Sequence, residues 1–352
     1  MHLLLSVLVA LSTATVTPDD PGDEGPEEAE AATALPASPD VIYSRDLSDA
    51  QLAKEFKDDL PALGSISVGY ADRGRMINGV HMPGDPAWRC ERPDLAWGTQ
   101  ETVDSLVLVL RDVHRQFPGS APARISHMGR KDGGYLRPHR SHQSGRDADI
   151  GLFYKNDKFP GRVAHRERFV DAPRNWALLR DLITETDVQM ILVDRGIQKL
   201  LRDYAISQGE DPAWLSRVFS QVVKHARNHK DHFHVRFFAP RSQELGRRVQ
   251  PLLAMRPDQN LAVHVVRRGN TLGAIAARYK TTVPAIRRAN HLGKRTLLSM
   301  GQRLIVPLRG ACTHCPLPPP VTVPPRVLPP DDSPAVDRSW SGGINPEIST
   351  AE

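Results

Sequence analysis

SHQSGRDADIGL at 141–152 and NHKDHFHVRF at 228–237 decide how this chain is read. Each runs into a short apolar stretch that predicts a strand, over 149–154 and 233–238. Side chains alternate across a strand, so His232 and His234 point to one face, and Asp147 and Asp149 share one face of theirs. Two such strands side by side bring three ligands and a spare base to one point. That is what a catalytic zinc needs: three His or carboxylate ligands and one open position. A lone His-x-His is weak, because most such histidines are ordinary surface or core residues. His142 followed seven residues later by Asp149, with a distant His-x-His, is a much stronger pattern. On geometry alone Asp147 remains an alternative ligand to Asp149. Eight of the fourteen histidines fall between His127 and His234, most of them in two bunches: His139 with His142, then His225, His229, His232 and His234.

Outward from these segments the pattern is helical or strand-like by turns. Val103, Leu106, Val107, Leu110, Val113 and Phe117 recur at helical spacing up to Pro118-Gly119. VQMILV at 188–193 reads as a buried strand. Ile197, Leu200, Leu201 and Tyr204 mark a helix that stops at Gly209. Asp211-Pro212 opens another, with Trp214, Val218 and Val222 on one face. The fold class is α+β: a small antiparallel sheet with flanking helices carries the zinc site, and a small module follows.

The two histidine segments resemble the signatures of the penicillin-insensitive murein endopeptidases, within the wider group of lysostaphin-type and D-alanyl-D-alanine zinc peptidases. The similarity covers roughly 63–240, with looser matches at SISVGYADRGRMINGV and ILVDRGIQKLL, while RFVDAPRNWALL at 168–179 diverges. The resemblance implies His142, Asp149 and His234 as zinc ligands, His232 as catalytic base and His229 as an auxiliary group. His139, Gln143, Gly145 and Asp147 also match. His139 and Gln143 are candidates for the metal or its surroundings, and Asp147 is expected to be structural. The implied reaction is peptide hydrolysis at a metal. No G-x-S-x-G nucleophile stretch and no G-x-x-x-x-G-K phosphate loop is present.

Residues 264–307 predict two short helices between two strands, with Asn270 as N-cap of the first. The segment resembles a LysM domain, a βααβ module that binds N-acetylglucosamine-containing glycans. Gly269, Thr271, Leu272, Ile275, Ala276, Tyr279, Ile286, Asn290, Leu292, Gly301, Gln302, Leu304 and Pro307 carry the match. Leu272, Ile275, Ile286 and Leu304 are expected to be core, so the sugar contacts are not individually readable.

The 352-residue length suggests two domains, and the ends have their own composition. MHLLLSVLVALSTATVTP reads as an export signal over 1–14, which places the mature protein in the periplasm or outside the cell. Residues 15–40 form an acidic spacer expected to be disordered. The first forty residues hold eight acids and no Lys or Arg, so the remainder carries 46 basic against 33 acidic groups, a net of +13. That favours a polyanionic partner. Ten of the thirty prolines lie from Pro316 onward, in a tail over 309–352 expected to be extended and disordered. The zinc endopeptidase domain is expected over 41–245, a linker over 246–260 and the LysM domain over 261–308. Cys312 and Cys315 have knuckle spacing without a second pair, so a local disulfide, or no role, is expected rather than a metal.

Signal, peptidase core and glycan-binding module converge on peptidoglycan, with stem peptides at the active site and glycan at LysM. Cleavage of a cross-link, most simply the D-alanyl-meso-diaminopimelyl bond, is the leading expectation. A D,D- or L,D-carboxypeptidase is the alternative in the same fold, and an inactive wall-binding scaffold the alternative outside enzymology. Nucleic acid is set aside, since aromatics are 6% and offer few stacking platforms.

Overall fold

The computed structural model describes residues 43–330 apart from 162, 313, 314 and 316. The expected signal and acidic spacer lie outside these residues. The chain runs through α1 (Asp49–Asp58), a hairpin of β1 (Ile66–Gly69) and β2 (Gly74–Ile77), and short strands β3 (Val80–His81), β4 (Trp88–Cys90) and β5 (Trp97–Gly98). Next come α2 (Gln100–Gln116), β6 (Ala123–His127), β7 (Asp147–Gly151), α3 (Ala172–Glu185), β8 (Val188–Val193), α4 (Arg195–Ser207), α5 (Pro212–Arg217), β9 (Val223–His225), β10 (His232–Phe237) and α6 (Pro240–Val249). The C-terminal module is β11 (Leu261–Val265), α7 (Leu272–Arg278), α8 (Val283–Ala289) and β12 (Arg303–Pro307). Among the described residues no helix is long and apolar enough to cross a membrane.

Six strands form the main sheet in the order β4-β6-β7-β10-β8-β9. Its centre is antiparallel, as the sequence predicts, and each edge adds a parallel pair, β4 with β6 and β8 with β9. Strand alternation then separates two chemistries. Ala148, Ile150, Phe233, Val235 and Phe237 are fully buried in an apolar core shared with Leu106 and Leu110 of α2 and Leu178 and Leu182 of α3. Asp147, Asp149, His232, His234 and Arg236 therefore emerge on the opposite face.

The helices begin where their side-chain caps stand. Thr99 accepts from the amide of Thr102, Asp171 from Arg174 and Asp211 from Trp214. Helix α3 arises from the divergent stretch, where Asp171 caps it and Pro173 sits in its first turn. The predicted helix after Asp211-Pro212 ends earlier than its apolar spacing suggests, passing at Val218–Val222 into a π-helical turn.

A second core holds Leu52 and Phe56 of α1, Ile66 of β1 and Leu245 and Val249 of α6. Leu253 joins it, so much of the stretch expected as a linker over 246–260 packs onto the peptidase domain. Gly246 explains how closely α6 approaches: a Cβ there would lie 1.8 Å from the Ser67 carbonyl oxygen of β1.

The C-terminal module is the expected βααβ unit, with β11 and β12 antiparallel over a core of Leu272, Ile275, Ile286, Leu304 and Val306. Its first helix is capped differently from expectation. Thr271, not Asn270, accepts from the Ala274 amide, while Asn270 Oδ1 accepts from the Arg267 amide and lies 2.8 Å from His264 Nε2. Asn290 ties α8 to β12 through both backbone groups of Ile305. Cys312 and Cys315 form a disulfide, and Cys90 is free.

Residues 317–330 do not stand away from the body as their composition suggests. Prolines hold this stretch extended, which leaves its carbonyls free to accept. Trp214 Nε1 donates to the Val327 carbonyl at 2.8 Å and Arg247 Nε to the Pro318 carbonyl at 3.0 Å. Arg326 pairs with Asp187 at 3.0 Å.

Candidate metal centre

Three elements converge on the polar face of the sheet. Asp149 of β7 pairs in register with His234 of β10. The loop before β7 delivers His142, whose backbone has a left-handed φ of 63°. Non-glycine residues rarely adopt that conformation unless their surroundings enforce it. Here the His142 amide donates to Asp147 Oδ2 at 3.0 Å, and Gln143 is pinned by bonds from its side-chain amide to the Asp72 and Arg140 carbonyls. Gly145 completes the loop at φ 78°, where a Cβ would lie 2.2 Å from Met76 Sδ. Gln143 and Gly145 thus shape the loop, and the Gln143 side-chain amide is committed to backbone oxygens.

His142 Nδ1 lies 2.8 Å from the Met128 carbonyl. A carbonyl only accepts, so Nδ1 keeps its proton there, and Nε2 is the ring atom left to take a cation or a second proton. That Nε2 is buried with no hydrogen-bond partner and faces Asp149 Oδ1 at 3.2 Å. His234 Nδ1 reaches the same oxygen at 3.1 Å. Two buried acceptors this close repel unless a cation or proton lies between them. Tetrahedral ligands held ~2.1 Å from one metal stand about 3.4 Å apart, so the separations suit a shared ion. His142, Asp149 and His234 are a candidate metal-binding group, all buried.

The other polar residues orient these three. Asp147 Oδ1 takes hydrogen bonds from Arg236 Nε at 2.6 Å and His234 Nε2 at 3.2 Å. A carboxylate behind a ligating imidazole fixes the ring and its tautomer. Burial works against ionised Asp147, yet Arg236 and His234 hold its carboxyl well below the usual carboxylate range. Asp149 is likewise held low against its burial, chiefly by His142 and His232. Burial disfavours a charged His234, but hydrogen bonds to Asp147 and Asp149 raise its pKa to about 10.

His232 and His229 stand beside the group. His232 Nδ1 donates to Asp231 Oδ1 at 2.8 Å, and its Nε2 lies 3.8 Å from Asp149 Oδ1. Although burial lowers its pKa, Asp149 and Asp231 raise it overall. His229 Nδ1 donates to the Arg227 carbonyl, and its ring lies 4.8 Å from His232 and 5.8 Å from His234. Burial lowers the His229 pKa to about 4. The His139 ring meets that of His142 edge to face, with centroids 4.8 Å apart, and its Nδ1 lies 3.7 Å from Asp149 Oδ2. His225 sits apart on edge strand β9, where Nδ1 accepts from the Arg195 amide.

Two further residues that motif spacing does not single out, His127 and Arg236, also reach these carboxylates. His127 comes opposite Asp149 only through the β6–β7 register, which shifts between Ile125 and His127. No sequence spacing announces that pairing. Arg236 follows the His-x-His at the same strand interval, a signal that alternation carries.

Sheet, buried carboxylates and converging imidazoles define a His/Asp centre able to hold a metal ion. Comparison with known families supplies the particular: the profile of the penicillin-insensitive murein endopeptidases matches residues 67–260, and that of the LysM domain matches 264–307. The first match covers more than half of the chain, which belongs to the penicillin-insensitive murein endopeptidase family. The protein is a peptidase with a C-terminal LysM domain, and both parts point to peptidoglycan.

Proposed function

We propose that the protein is a zinc-dependent, extracytoplasmic murein endopeptidase that cuts peptide cross-links in peptidoglycan, at the D-alanyl-meso-diaminopimelyl bond. The observation that carries the reading is the buried, unpartnered His142 Nε2 turned toward Asp149 Oδ1 beside His234. His142 Nε2, Asp149 Oδ1 and His234 Nδ1 would hold the ion. Binding would release the proton that metal-free His234 holds at Nδ1, and the resulting pair of neutral imidazoles with one carboxylate suits zinc. When bound, zinc supplies a water that ionises near neutral pH and polarises the scissile carbonyl.

The chain's own residues do the rest. His232, oriented by Asp231, takes the proton from the attacking water at Nε2 and gives it to the leaving amine. His229, whose ring lies 4.8 Å from that of His232 and whose Nδ1 proton is committed to a backbone carbonyl, would steady the oxygen that gains charge by taking up a second proton at Nε2 as that charge develops. Asp147 and Arg236 keep His234 in the required orientation. The LysM domain holds the enzyme on glycan and raises the local concentration of stem peptides. The basic body assists approach to an anionic wall.

Zinc analysis of purified variants tests the assignment. His142→Ala is expected to lose both metal and turnover, and His232→Ala to lose turnover with metal retained. Metal retained in His142→Ala, or turnover retained in His232→Ala, would refute the corresponding role.

A further inference from the structure

Asp149 stands between two histidines on neighbouring strands: His234 opposes it from β10 and His127 from β6. The proposed zinc set uses only one side of this arrangement, through Oδ1. On the other side Oδ2 faces His139 Nδ1 at 3.7 Å and His127 Nδ1 at 3.9 Å. His127, His139 and Asp149 offer ligand atoms that all lie within 4.8 Å of one another. Neither contact with Oδ2 is short enough for a hydrogen bond. Among the described residues, no other group hydrogen-bonds to either ring, although the two rings stand 4.8 Å apart.

The two sides have the same construction. Each has one histidine from a strand flanking β7, one from the preceding loop (His142 or His139, three residues apart) and one oxygen of Asp149. We propose that His127, His139 and Asp149 Oδ2 form a second divalent transition-metal site, bridged through Asp149 to the His142–Asp149–His234 centre. The proposal rests on the reading of that first centre. Imidazole donors with a single carboxylate oxygen select zinc, cobalt or nickel over magnesium or calcium, which prefer all-oxygen shells. Hydrolytic two-metal centres hold their ions about 3.5–4 Å apart, a spacing that a shared carboxylate can span. The second site is more open: the His127 and His139 side chains are 27% and 16% exposed, against 0% and 4% for His142 and His234. One carboxylate serves both ions, so the outer one binds more weakly and leaves first.

The test uses the full chain, stripped with chelator, reloaded with excess zinc and freed of unbound metal. Zinc per chain is then measured by mass spectrometry. Wild type is expected to hold about two ions and His127→Gln about one, while the two metal-free proteins melt alike because His127 is outside the apolar core. Should His127→Gln melt early, His139→Gln supplies the same comparison. Cobalt gives an independent readout: the second equivalent should couple magnetically to the first and weaken its paramagnetic resonance signal in wild type, but not in His127→Gln. One zinc in both wild type and His127→Gln, without coupling, would overturn the second site and leave the first standing. No zinc in wild type would bring down the first site and this one with it.

Discussion

The peptidase sheet and the LysM module bury polar groups for different ends. In LysM the buried positions are nearly all apolar, and polar side chains such as Asn290 tie one element to another. On the polar face of the main sheet, His142, Asp147, Asp149, His234 and Arg236 are all buried, and most of their partners are one another. Burying charges costs several kcal/mol per ion unless each is paired. A sheet needs no such cluster in order to fold, since the opposite face already supplies the core. In the peptidase domain burial therefore marks the candidate chemistry, whereas in LysM it marks the scaffold.

Substitutions can break this contrast. The largest effect belongs to the ligands and the base. His142→Ala and His234→Ala should lose metal and at least ~10³-fold in turnover, while His232→Ala should keep metal and lose ~10²–10⁴-fold. Zinc content measured beside hydrolysis of cross-linked muropeptides separates the two classes. Asp147→Asn comes next, expected to weaken metal affinity by about 10–100-fold through the loosened His234 ring. Competition with a chelator reads that change, and unaltered affinity would remove Asp147 from the metal's support.

The LysM counterpart should act on stability and attachment, not on chemistry. Ile286→Ala in its core is expected to cost the module ~2–5 kcal/mol and to weaken pelleting with sacculi. Its rate on small soluble muropeptides should stay at the wild-type level. A fall in that rate would mean that LysM shapes the active site directly. The smallest change is expected from Arg326→Ala, which removes a partly exposed pair with Asp187 worth less than about 1 kcal/mol. A large fall in melting temperature would show that residues 317–330 hold the peptidase fold together.

The same contrast governs what is legible in the sequence. Strand alternation is a period of two, so residue spacing alone carries the shared face of His232 and His234, and that of Asp147 and Asp149. The convergence of His142 on Asp149 is legible too, because seven residues leave room for one tight loop. Strand order is not: nothing local places β10 between β7 and β8. His127 stays hidden for the related reason that only a shifted register brings it opposite Asp149. Helix α3 lies in the stretch that diverges from the family pattern, so the resemblance says nothing of it, although Asp171 and Pro173 are an ordinary helix start. The Asn270 cap fails by one residue, since Thr271 offers an equally good acceptor and leaves Asn270 to bond His264 and the Arg267 amide.

The most direct test of the account is a digest of cross-linked peptidoglycan containing meso-diaminopimelate, with and without chelator, its products resolved by liquid chromatography and mass spectrometry. Conversion of cross-linked dimers to monomers, abolished by chelator and restored by zinc, is the predicted result. Dimers left intact while monomers lose terminal D-alanine would contradict cross-link cleavage and make the protein a carboxypeptidase.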